Sequence, residues 1–594
     1  MTSFPHLTPS HRRSLRIALV VGACVAGGVA VWDLFTGGFY FRVLGIRVSS
    51  WDASKPFRIA ILATVVALWL HDREAEPRQA SWNRLTRLAP WMAAGVTVAC
   101  IVVAVHFRIL SAGGADAYGY VSQAHLWASG QLIVRDPLAP LTPVLKDAVV
   151  PLGYERAREP GWLAPIYSPG LPMLMALALR VIGPSGIYLV VPLLAGVTVW
   201  LTYALARRTA DDRTAMMASA LLAFSPMFLF QSLEPMSDVP VTACWIAAWV
   251  FAASAGALAP LGAGLAVSAA VLTRPNLVPL SIVVAAAVAL YGDSGQRLRR
   301  VVLFAAAMLP GCLLVAWLNN RLHGSPLRSG YGPLEALYAW DRFWPNLVRY
   351  TKWLVQLHTP AILIGLAAPF VVRVKGAALM IAFTIALLCA YLFYFVFDSW
   401  PFTRFLLPAL PLLFILGSSV ALWLIGRAPV AYRGALVFLI CLLLPCWYLI
   451  QAHSLGAFAI QRAEHRYDAV GQAVGESLEP QAIVFTLLES GSVRLYGNRP
   501  TLRWDLIEPA DFSAVIATVR AHGYVPYLLL EEWEEAQFRE RFARTSEFGR
   551  LDWPPVMRYD GASTTRVYAL DDRARYLDGA RIHTRNISAG LNLQ

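Results

Sequence analysis

The chain contains 594 residues, of which 57% are hydrophobic and only 15% are charged, and its mean hydropathy is +0.53. This composition excludes an ordinary soluble protein and predicts a polytopic α-helical membrane protein. The net charge of +13 accompanies no basic helix, zinc-binding pattern or RNA-binding signature, so no nucleic-acid partner is expected. The seven cysteines lie in apolar segments, which indicates neither a disulfide framework nor a Cys-rich metal site.

A helix needs about 20 apolar residues to cross a bilayer. Eleven to thirteen spans are predicted, because proline blocks a continuous helix at Arg274-Pro275 and the RVKG turn divides a later run. A further apolar segment, 169–182, has only fourteen residues and is interpreted as an interfacial or re-entrant helix. The candidate spans lie near residues 15–35, 57–70, 89–108, 184–205, 214–231, 239–256, 261–273, 276–291, 301–318, 358–397 (two helices), 405–425 and 433–450.

The distribution of Lys and Arg predicts the orientation, since short cytoplasmic loops carry an excess of both. With the N-terminus inside, the turn 37–56 falls outside and the short basic turns 71–88, 206–213, 292–300 and 373–375 fall on the cytoplasmic side, and an odd number of crossings follows. The basic, apolar start of the chain resembles a signal peptide, but the spans that follow favour a retained first helix. We therefore expect a multi-pass protein of the bacterial inner membrane, with residues 451–594 outside the cytoplasm. The same orientation places three loops outside: 109–183, 231–240 and 319–357.

The first outer loop contains GGADAYGYVSQAHLWASGQ at residues 113–131. After Asp116, the residues Tyr120, Gln123 and Trp127 recur with helical spacing and form one largely aromatic face. A charged side chain within a membrane span is costly, so acidic groups near helix ends that face the bundle suggest a function. The alternative interpretation makes Asp116 a helix N-cap and the aromatic residues part of an interfacial belt.

Further along the same loop, EPGWLAPIYSPGLP at 159–172 is rich in proline and glycine. These residues are expected to hold Glu159, Trp162 and Tyr167 on an irregular outer surface. The segment leads directly into the short apolar helix at 169–182.

A second acidic turn, EPMSDVP, carries Glu234 and Asp238 between prolines and should be rigid. It is expected to present its carboxylates towards the loop 109–183. The alternative for Asp238 is that it caps the following helix, with Pro240 in the first turn of that helix.

Two arginines lie at predicted outer ends of spans, where positive charge opposes the inside bias. They are Arg274 in LTRPN and Arg404 in DSWPFTRFLLPALP. Each could alternatively extend its side chain to lipid head groups. The outer loop 319–357 is rich in aromatic residues that could cover a substrate or form an interfacial belt: Tyr331, Tyr338, Trp340, Trp344, Tyr350 and Trp353.

After residue 450 the apolar runs shorten and charges become more frequent. The segments AIVFTLL (482–488), YVPYLLL (524–530) and TRVYALD (565–571) predict strands, and EEWEEAQFRERFA (531–543) predicts a helix. A small C-terminal α/β domain with a loose tail from residue 572 is therefore expected.

Taken in order, GADAYGY, YSPGLP, EPMSDVP, the TRP turn at 273–275 and RFLLPALP at 404–411 resemble the membrane glycosyltransferases of the GT-C superfamily. The resemblance is to the protein O-mannosyltransferase and aminoarabinose-to-lipid A transferase families and covers roughly residues 89–425. The chain differs by two apparent extra N-terminal spans. It also carries a single acidic residue in the first motif, where many relatives have an adjacent acidic pair.

The resemblance implies a fold and an activity. The fold would comprise extra transmembrane helices in 1–88, a GT-C-like catalytic module in 89–450 and an extracytoplasmic α/β domain in 451–594. The activity would be transfer of a sugar from a polyprenyl-phosphate donor to a hydroxyl of a lipid, glycan or protein acceptor at the outer face of the membrane.

The implied chemistry assigns roles to individual residues. Asp116 would be the general base that removes the acceptor proton, and Arg274 and Arg404 would hold the donor phosphate through paired donors. The acidic residues could bind sugar or acceptor hydroxyls, or a divalent cation through oxygen ligands, although no His or Cys cluster with metal-ligand spacing supports a metal. The predicted substrate-binding residues are Tyr118, Tyr120, Glu159, Tyr167, Glu234, Asp238, Arg274 and Arg404.

Two other functions remain open from the sequence. A membrane transporter would line a path within its spans with buried charges, whereas here the acidic groups cluster at one face. A non-catalytic protein that binds lipid-linked sugars would share the same site residues.

Overall fold

In the computed structural model of the protein, the described residues are 9–36, 38–43, 46–51, 54–69, 78–292, 294–428 and 430–587. Parts of the predicted turns 37–56 and 71–88, and the end of the predicted tail, lie outside them. The main helices are Pro9–Thr36, Ser54–Trp69, Arg78–Phe107, Asp116–Ala128, Gly170–Ile182, Val190–Thr209, Asp212–Phe224, Pro226–Leu233, Asp238–Ala252, Ala259–Thr273, Ser281–Leu290, Arg297–His323, Phe343–His358, Ala377–Leu392, Leu410–Arg427, Val430–Ser454, Arg466–Ser477, Ser490–Gly497, Phe512–Ala521, Glu532–Phe542 and Asp572–Leu577.

The predicted spans coincide with one or two of these helices, except that the first half of 358–397 is a 3-10 segment, Pro360–Ala367, followed by the short helix Ala368–Val371. The apolar helices are those of a polytopic membrane protein. Among the described residues, four helices are long and apolar enough to cross a membrane by length and composition, or up to seven if each of three bent pairs is one span. The four are Leu88–Phe107, Pro184–Thr209, Arg297–His323 and Trp400–Arg427. Most of the other predicted spans are apolar helices of 10–17 residues, shorter than a full crossing needs.

Prolines cause several of the interruptions. Pro226 occupies the first turn of a new helix after Phe224, and the two helices meet at 57°. Pro275 begins a 3-10 segment, Pro275–Leu280, after Arg274 ends the preceding helix. Proline lacks the N–H that a continuous helix requires, so a break at these positions follows from the sequence. The breaks place Glu234 and Arg274 on short non-helical connections.

The predicted outer and inner turns separate into two groups in space. At one end, Ile109 N–H donates to Leu233 O at 2.9 Å, and ion pairs join Asp116 to Arg404 and Asp238 to Arg274. At the other end, Lys375 N–H donates to Thr209 O at 3.0 Å, and Arg300 Nη2 donates to Ser254 O at 3.1 Å. The alternation of the turns expected from the basic residues therefore agrees with the packing.

Within the described ranges, eleven strands form three sheets. They are β1 Phe39–Val43, β2 Ile46–Ser50, β3 Val134–Arg135, β4 Tyr154–Arg156, β5 Trp162–Pro165, β6 Ala482–Phe485, β7 Thr501–Leu502, β8 Val525–Glu531, β9 Met557–Tyr559, β10 Thr565–Ala569 and β11 Arg585–Ile587. β1 pairs with β2, and the three-stranded sheet has the order β3-β5-β4. The six-stranded sheet has the order β11-β9-β10-β8-β6-β7, with β6 parallel to both β7 and β8.

This six-stranded sheet and its flanking helices form the C-terminal α/β unit, as expected. The predicted strands appear as β6, β8 and β10, and the predicted helix as Glu532–Phe542. The region expected to be a loose tail instead contains the helix Asp572–Leu577 and β11, which pairs in parallel with β9. Short elements of this kind give little periodic signal in a sequence.

The loop 109–183 and the C-terminal unit share one hydrophobic core. Leu138, Leu145 and Leu163 from the loop pack in the same buried cluster as Phe485 and Trp504. Backbone hydrogen bonding also joins them, since Arg503 N–H donates to Ala148 O at 2.7 Å. The first outer loop and the last part of the chain are therefore on the same side of the helical region.

Candidate active site

Asp116 is the first residue of the helix Asp116–Ala128, but its side chain does not cap the helix. Tyr167 Oη donates to Asp116 Oδ1 at 2.7 Å, and Arg404 Nη2 donates to Asp116 Oδ2 at 2.6 Å. The Asp116 side chain is 32% exposed. The carboxylate is thus held between a phenol and a guanidinium while part of it faces open space, which is the arrangement that a group acting on a substrate requires.

The charge state of Asp116 follows from these neighbours. Burial raises the pKa of Asp116, but the opposing charge of Arg404 and the hydrogen bonds from Tyr167 and Arg404 outweigh burial, so the net pKa is lowered. Burial raises the pKa of Tyr167 well above its usual value, and the Asp116 charge raises it further. Tyr167 therefore remains a protonated donor beside an ionised carboxylate.

A second ion pair lies at the start of the helix Asp238–Ala252. Arg274 Nη2 donates to Asp238 Oδ1 at 2.6 Å, and Arg274 Nε donates to Ser237 Oγ at 3.1 Å. Tyr120 Oη also donates to Ser237 Oγ, at 2.9 Å. Asp238 makes no side-chain cap, so the capping alternative does not describe it. These contacts connect the acidic turn, the TRP turn and the helix that begins at Asp116.

The two arginines approach the same aromatic ring. Arg404 lies in the 3-10 segment Trp400–Ala409, which prolines begin and interrupt. The Phe405 ring centroid is 5.5 Å from Arg404 Cζ and 5.4 Å from Arg274 Cζ. Both arginine side chains are only 12% exposed and each is paired with a carboxylate. They therefore do not extend towards lipid head groups.

Arg404 retains unused hydrogen-bonding capacity. Its Nε is buried and has no hydrogen-bond partner among the described residues. Its Nη1 faces Met236 Sδ at 2.7 Å, and a thioether sulfur is a weak acceptor. A guanidinium with poorly satisfied donors can still bind an anion.

Glu234 is buried at the connection before Asp238. The residue is 8% exposed, and its Oε2 has no hydrogen-bond partner in the described part of the chain. Burial raises the pKa of Glu234 to about 8, despite the opposing effect of Arg404. At neutral pH the side chain is therefore mostly protonated and able to donate a hydrogen bond.

The acidic residues do not form a cation site. Asp116 and Asp238 are each engaged by an arginine, and no group of three or more His, Cys, Asp or Glu residues within the described ranges could hold a metal ion. The divalent cation that the sequence left possible therefore has no such group of ligands among the described residues.

Two predicted site residues lie elsewhere. The Tyr118 ring packs against Gly491 of the C-terminal unit and lies 5.8 Å from the Tyr154 ring. Glu159 is on an exposed loop and lies 3.8 Å from Arg321. Six of the nine predicted site residues contact another of the six directly or through Ser237, and Glu234 lies beside them. The six residues, which form the cluster, are Asp116, Tyr120, Tyr167, Asp238, Arg274 and Arg404.

Ser237, Asn276 and Tyr391 were not assigned a role from the sequence, whereas Tyr331 was among the aromatic residues that could cover a substrate. Ser237 links Tyr120 to Arg274, and Tyr391 Oη accepts from Asn276 Nδ2 at 3.2 Å. The loop 319–357 supplies Tyr331, whose ring meets the Tyr167 ring edge-on at 5.8 Å. Tyr331 is itself 41% exposed, and Trp340 and Trp344 from the same loop are exposed to a greater extent. The sequence of the loop 319–357 does not distinguish Tyr331 from Trp340 and Trp344. Only the packing of the folded chain brings the turn that carries Tyr331 to the site.

A small polar cavity adjoins Tyr167. Its volume is about 20 Å³, room for about one water molecule. Gln123 Oε1 and Trp127 Nε1 line it and have no hydrogen-bond partner within the described ranges. Gln123 and Trp127 belong to the helix face predicted after Asp116. The sequence therefore predicted which face of the helix they share but not the cavity that they line.

A family model described as dolichyl-phosphate-mannose-protein mannosyltransferase matches residues 165–318. The matched segment contains YSPGLP, EPMSDVP and the TRP turn. The resemblance to GT-C membrane glycosyltransferases predicted from these motifs is confirmed. No curated protein matches the chain by sequence.

Solved structures of low sequence identity are similar to the chain. ArnT from Cupriavidus metallidurans bound to undecaprenyl phosphate is 14% identical, with a TM-score of 0.47 over 82% of this chain and 98% of that chain. The apo oligosaccharyltransferase from Archaeoglobus fulgidus is 13% identical, with a TM-score of 0.47 over 75% of this chain and 70% of that chain.

Proposed function

We propose that the protein is a membrane glycosyltransferase that moves a sugar from a polyprenyl-phosphate donor to an acceptor hydroxyl. The observation that carries the proposal is the position of Asp116 between Tyr167 and Arg404, with the Arg274–Asp238 pair beside it. The family model over residues 165–318 supports the donor class, since its description names a dolichyl-phosphate sugar.

Asp116 acts as the general base in this proposal. The acceptor oxygen attacks the anomeric carbon as its proton passes to an Asp116 oxygen, and the bond from that carbon to the phosphate oxygen breaks. The bonding electron pair leaves with the polyprenyl phosphate, which gains one negative charge. Each Asp116 oxygen receives one hydrogen bond from the protein and keeps another lone pair for the acceptor.

Arg404 and Arg274 bind the donor phosphate. The unpartnered Nε and the weakly engaged Nη1 of Arg404 supply donors for its oxygens. As charge develops on the leaving phosphate, Arg404 shifts from Asp116 towards it. Because Arg404 holds the pKa of Asp116 down, this shift raises the basicity of Asp116 as the acceptor proton is removed.

The other members of the cluster position these groups. Asp238 and Ser237 orient Arg274, and Tyr167 orients Asp116. The protonated Glu234 donates to a substrate oxygen, and Tyr120 contributes to the wall of the site. Tyr118 and Glu159 lie outside the cluster and take no part in substrate binding in this proposal.

The reaction takes place at the outer face of a bacterial inner membrane, with the C-terminal unit outside the cytoplasm. The inside bias of Lys and Arg supports this orientation. Acceptors of this reaction are lipids, glycans or proteins that present a hydroxyl at that face.

The test is to incubate purified protein with a panel of polyprenyl-phosphate sugars and acceptors and to measure sugar transfer or release. Asp116→Asn keeps the size of the side chain but removes the base, so the rate should fall by roughly 10²-fold or more while folding is retained. Asp211→Asn is the matched control, because Asp211 caps a helix at the opposite end of the helical region. Full activity of Asp116→Asn would contradict the assignment.

A further inference from the structure

The turn at residues 109–115, which precedes Asp116, is held from outside by the C-terminal unit. Ser111 Oγ donates to Glu464 O at 2.8 Å, and Ala112 N–H donates to Tyr496 Oη at 2.8 Å. Gly114 has a φ of +59°, a left-handed conformation that glycine adopts without strain. Contacts from far along the chain therefore set the conformation of this turn.

The ring of Tyr467 lies directly against Gly113. A methyl group built on Gly113 would lie 1.8 Å from Tyr467 Cδ2, far inside van der Waals contact. Tyr467 is 3% exposed, and its hydroxyl comes close to Gly114 as well. The ring thus forms a wall behind the two residues that direct the chain into the helix of Asp116.

Contacts with Arg466 hold Tyr467 in place. Arg466 Nη2 donates to Tyr467 Oη at 2.9 Å, and Arg466 Cζ lies 4.2 Å from the ring centroid. Arg466 Nε donates to Glu531 Oε1 at 2.9 Å. Glu531 ends β8 and forms a capping box with Glu534 at the start of the next helix. The wall behind Gly113 is therefore fixed to the central sheet of the C-terminal unit.

We propose that Tyr467 is a positioning residue that aims Asp116 at the acceptor, and that the C-terminal unit contributes to the active site in this way. The inference rests on the proposed role of Asp116 as the base. A displacement of about 1 Å of a catalytic group can cost a factor of 10² in rate. Loss of the wall should therefore reduce turnover, whereas donor binding, which depends on Arg274 and Arg404, should persist.

The first test compares Tyr467→Phe with Tyr467→Ala. Phenylalanine keeps the ring against Gly113, so kcat should remain within about twofold of wild type. Alanine removes the ring, so kcat should fall about 10- to 100-fold while donor affinity changes by less than about threefold. Wild-type kcat in Tyr467→Ala, or an equal loss in Tyr467→Phe, would overturn the proposal.

The second test uses the contact with Gly113. Gly113→Ala should lower kcat by itself, because its methyl group collides with the ring. In the Tyr467→Ala background the collision is absent, so the same change should add little. Gly561→Ala is the control, because its methyl group would lie 2.4 Å from Tyr559 Cε1 within the C-terminal unit. It should lower the melting temperature but leave kcat unchanged, and an equal loss of kcat in this control would overturn the proposal.

A third measurement separates this inference from the proposed function. Amide hydrogen exchange over residues 109–121 should be faster in Tyr467→Ala than in wild type or Tyr467→Phe, and it requires no turnover. A wild-type protein that transfers no sugar would count against the proposed function alone. Unchanged exchange in Tyr467→Ala would refute the positioning role even if the enzyme is active.

Discussion

The guanidinium of Arg404 contacts a carboxylate through one nitrogen and has weaker or no partners for the others. If those donors bind the donor phosphate, donor affinity should fall in the order wild type, Arg404→Lys, Arg404→Ala. Lysine keeps one charge but loses the planar paired geometry. The ends of the series should differ by about 10- to 100-fold, which corresponds to about 1.5–3 kcal/mol. Equilibrium binding of a polyprenyl-phosphate sugar to folded protein measures this.

Arg427→Ala is the control for that series, since Arg427 stacks on Trp423 at the far end of the following helix. It should bind the donor as wild type does. Equal affinity for wild type and Arg404→Ala would exclude Arg404 from phosphate binding.

Glu234 should make stability depend on pH. Burial raises its pKa to about 8 from a usual 4.5, so the folded state holds its proton more tightly than the unfolded state. Folding stability should therefore fall as pH rises from about 4.5 to about 8, with a slope of at most about 1.4 kcal/mol per pH unit. Glu234→Gln removes the titration and should flatten the dependence of melting temperature on pH.

The control for Glu234 is Glu159→Gln, which removes an exposed carboxylate from a different predicted outer loop, 109–183. Its melting temperature should follow the wild-type curve across this pH range. Superimposable curves for wild type and Glu234→Gln would show that Glu234 does not titrate in this window.

At the scale of elements, the helix Asp116–Ala128 and the YSPGLP segment approach each other through a glycine. A methyl group on Gly119 would lie 2.0 Å from Tyr167 Cε2. Gly119→Ala should displace Tyr167 from Asp116 and lower transfer at least about 10-fold, with a loss of about 1–3 kcal/mol in stability. A transfer assay and a melting curve measure both effects.

Gly95→Ala provides the comparison, because Gly95 lies in the helix Arg78–Phe107 with nothing within 4 Å of an added methyl group. It should leave transfer unchanged. If Gly119→Ala also leaves transfer unchanged, the ring of Tyr167 can move without affecting the reaction, which would contradict this prediction.

The elements themselves were largely predictable. Long apolar runs located most of the spans, and the break at Pro275 was predicted, whereas the break at Pro226 within the predicted span 214–231 was not. The short strands β7, β9 and β11 were not predicted, because two or three residues carry too little pattern. Their pairing depends on neighbours that are distant in the sequence.

The site was predictable only in part, for the same reason. Charged residues at apolar boundaries are conspicuous, and Asp116, Asp238, Arg274 and Arg404 meet as two ion pairs. Tyr467 was not assigned a role, and Tyr331 was only grouped with the aromatic residues that could cover a substrate or form an interfacial belt. An aromatic residue near a membrane surface is ordinary, and only its packing partner makes it specific. Tyr118 and Glu159 carried the same local signal but lie outside the cluster.

At the scale of the whole molecule, the two groups of turns should face opposite sides of the membrane. A reporter fused after residue 594 should be active outside the cytoplasm, and one fused near Arg299 should report the cytoplasm. Measurement of both fusions in cells checks the orientation. The reverse pattern would place the candidate site on the cytoplasmic side and invalidate the proposed direction of transfer.

The bond between Ser111 and Glu464 joins residues that are 353 positions apart. A ribosome that adds about 5–20 residues per second makes Glu464 roughly 20–70 s after Ser111. Throughout that interval the turn that precedes Asp116 has been translated but lacks its partners in the C-terminal unit, Glu464, Tyr467 and Tyr496. If Asp116 is the base as proposed, a chain interrupted before its last quarter would contain Arg274 and Arg404 but lack the contacts that position Asp116, so the order of synthesis would delay chemistry until assembly is complete.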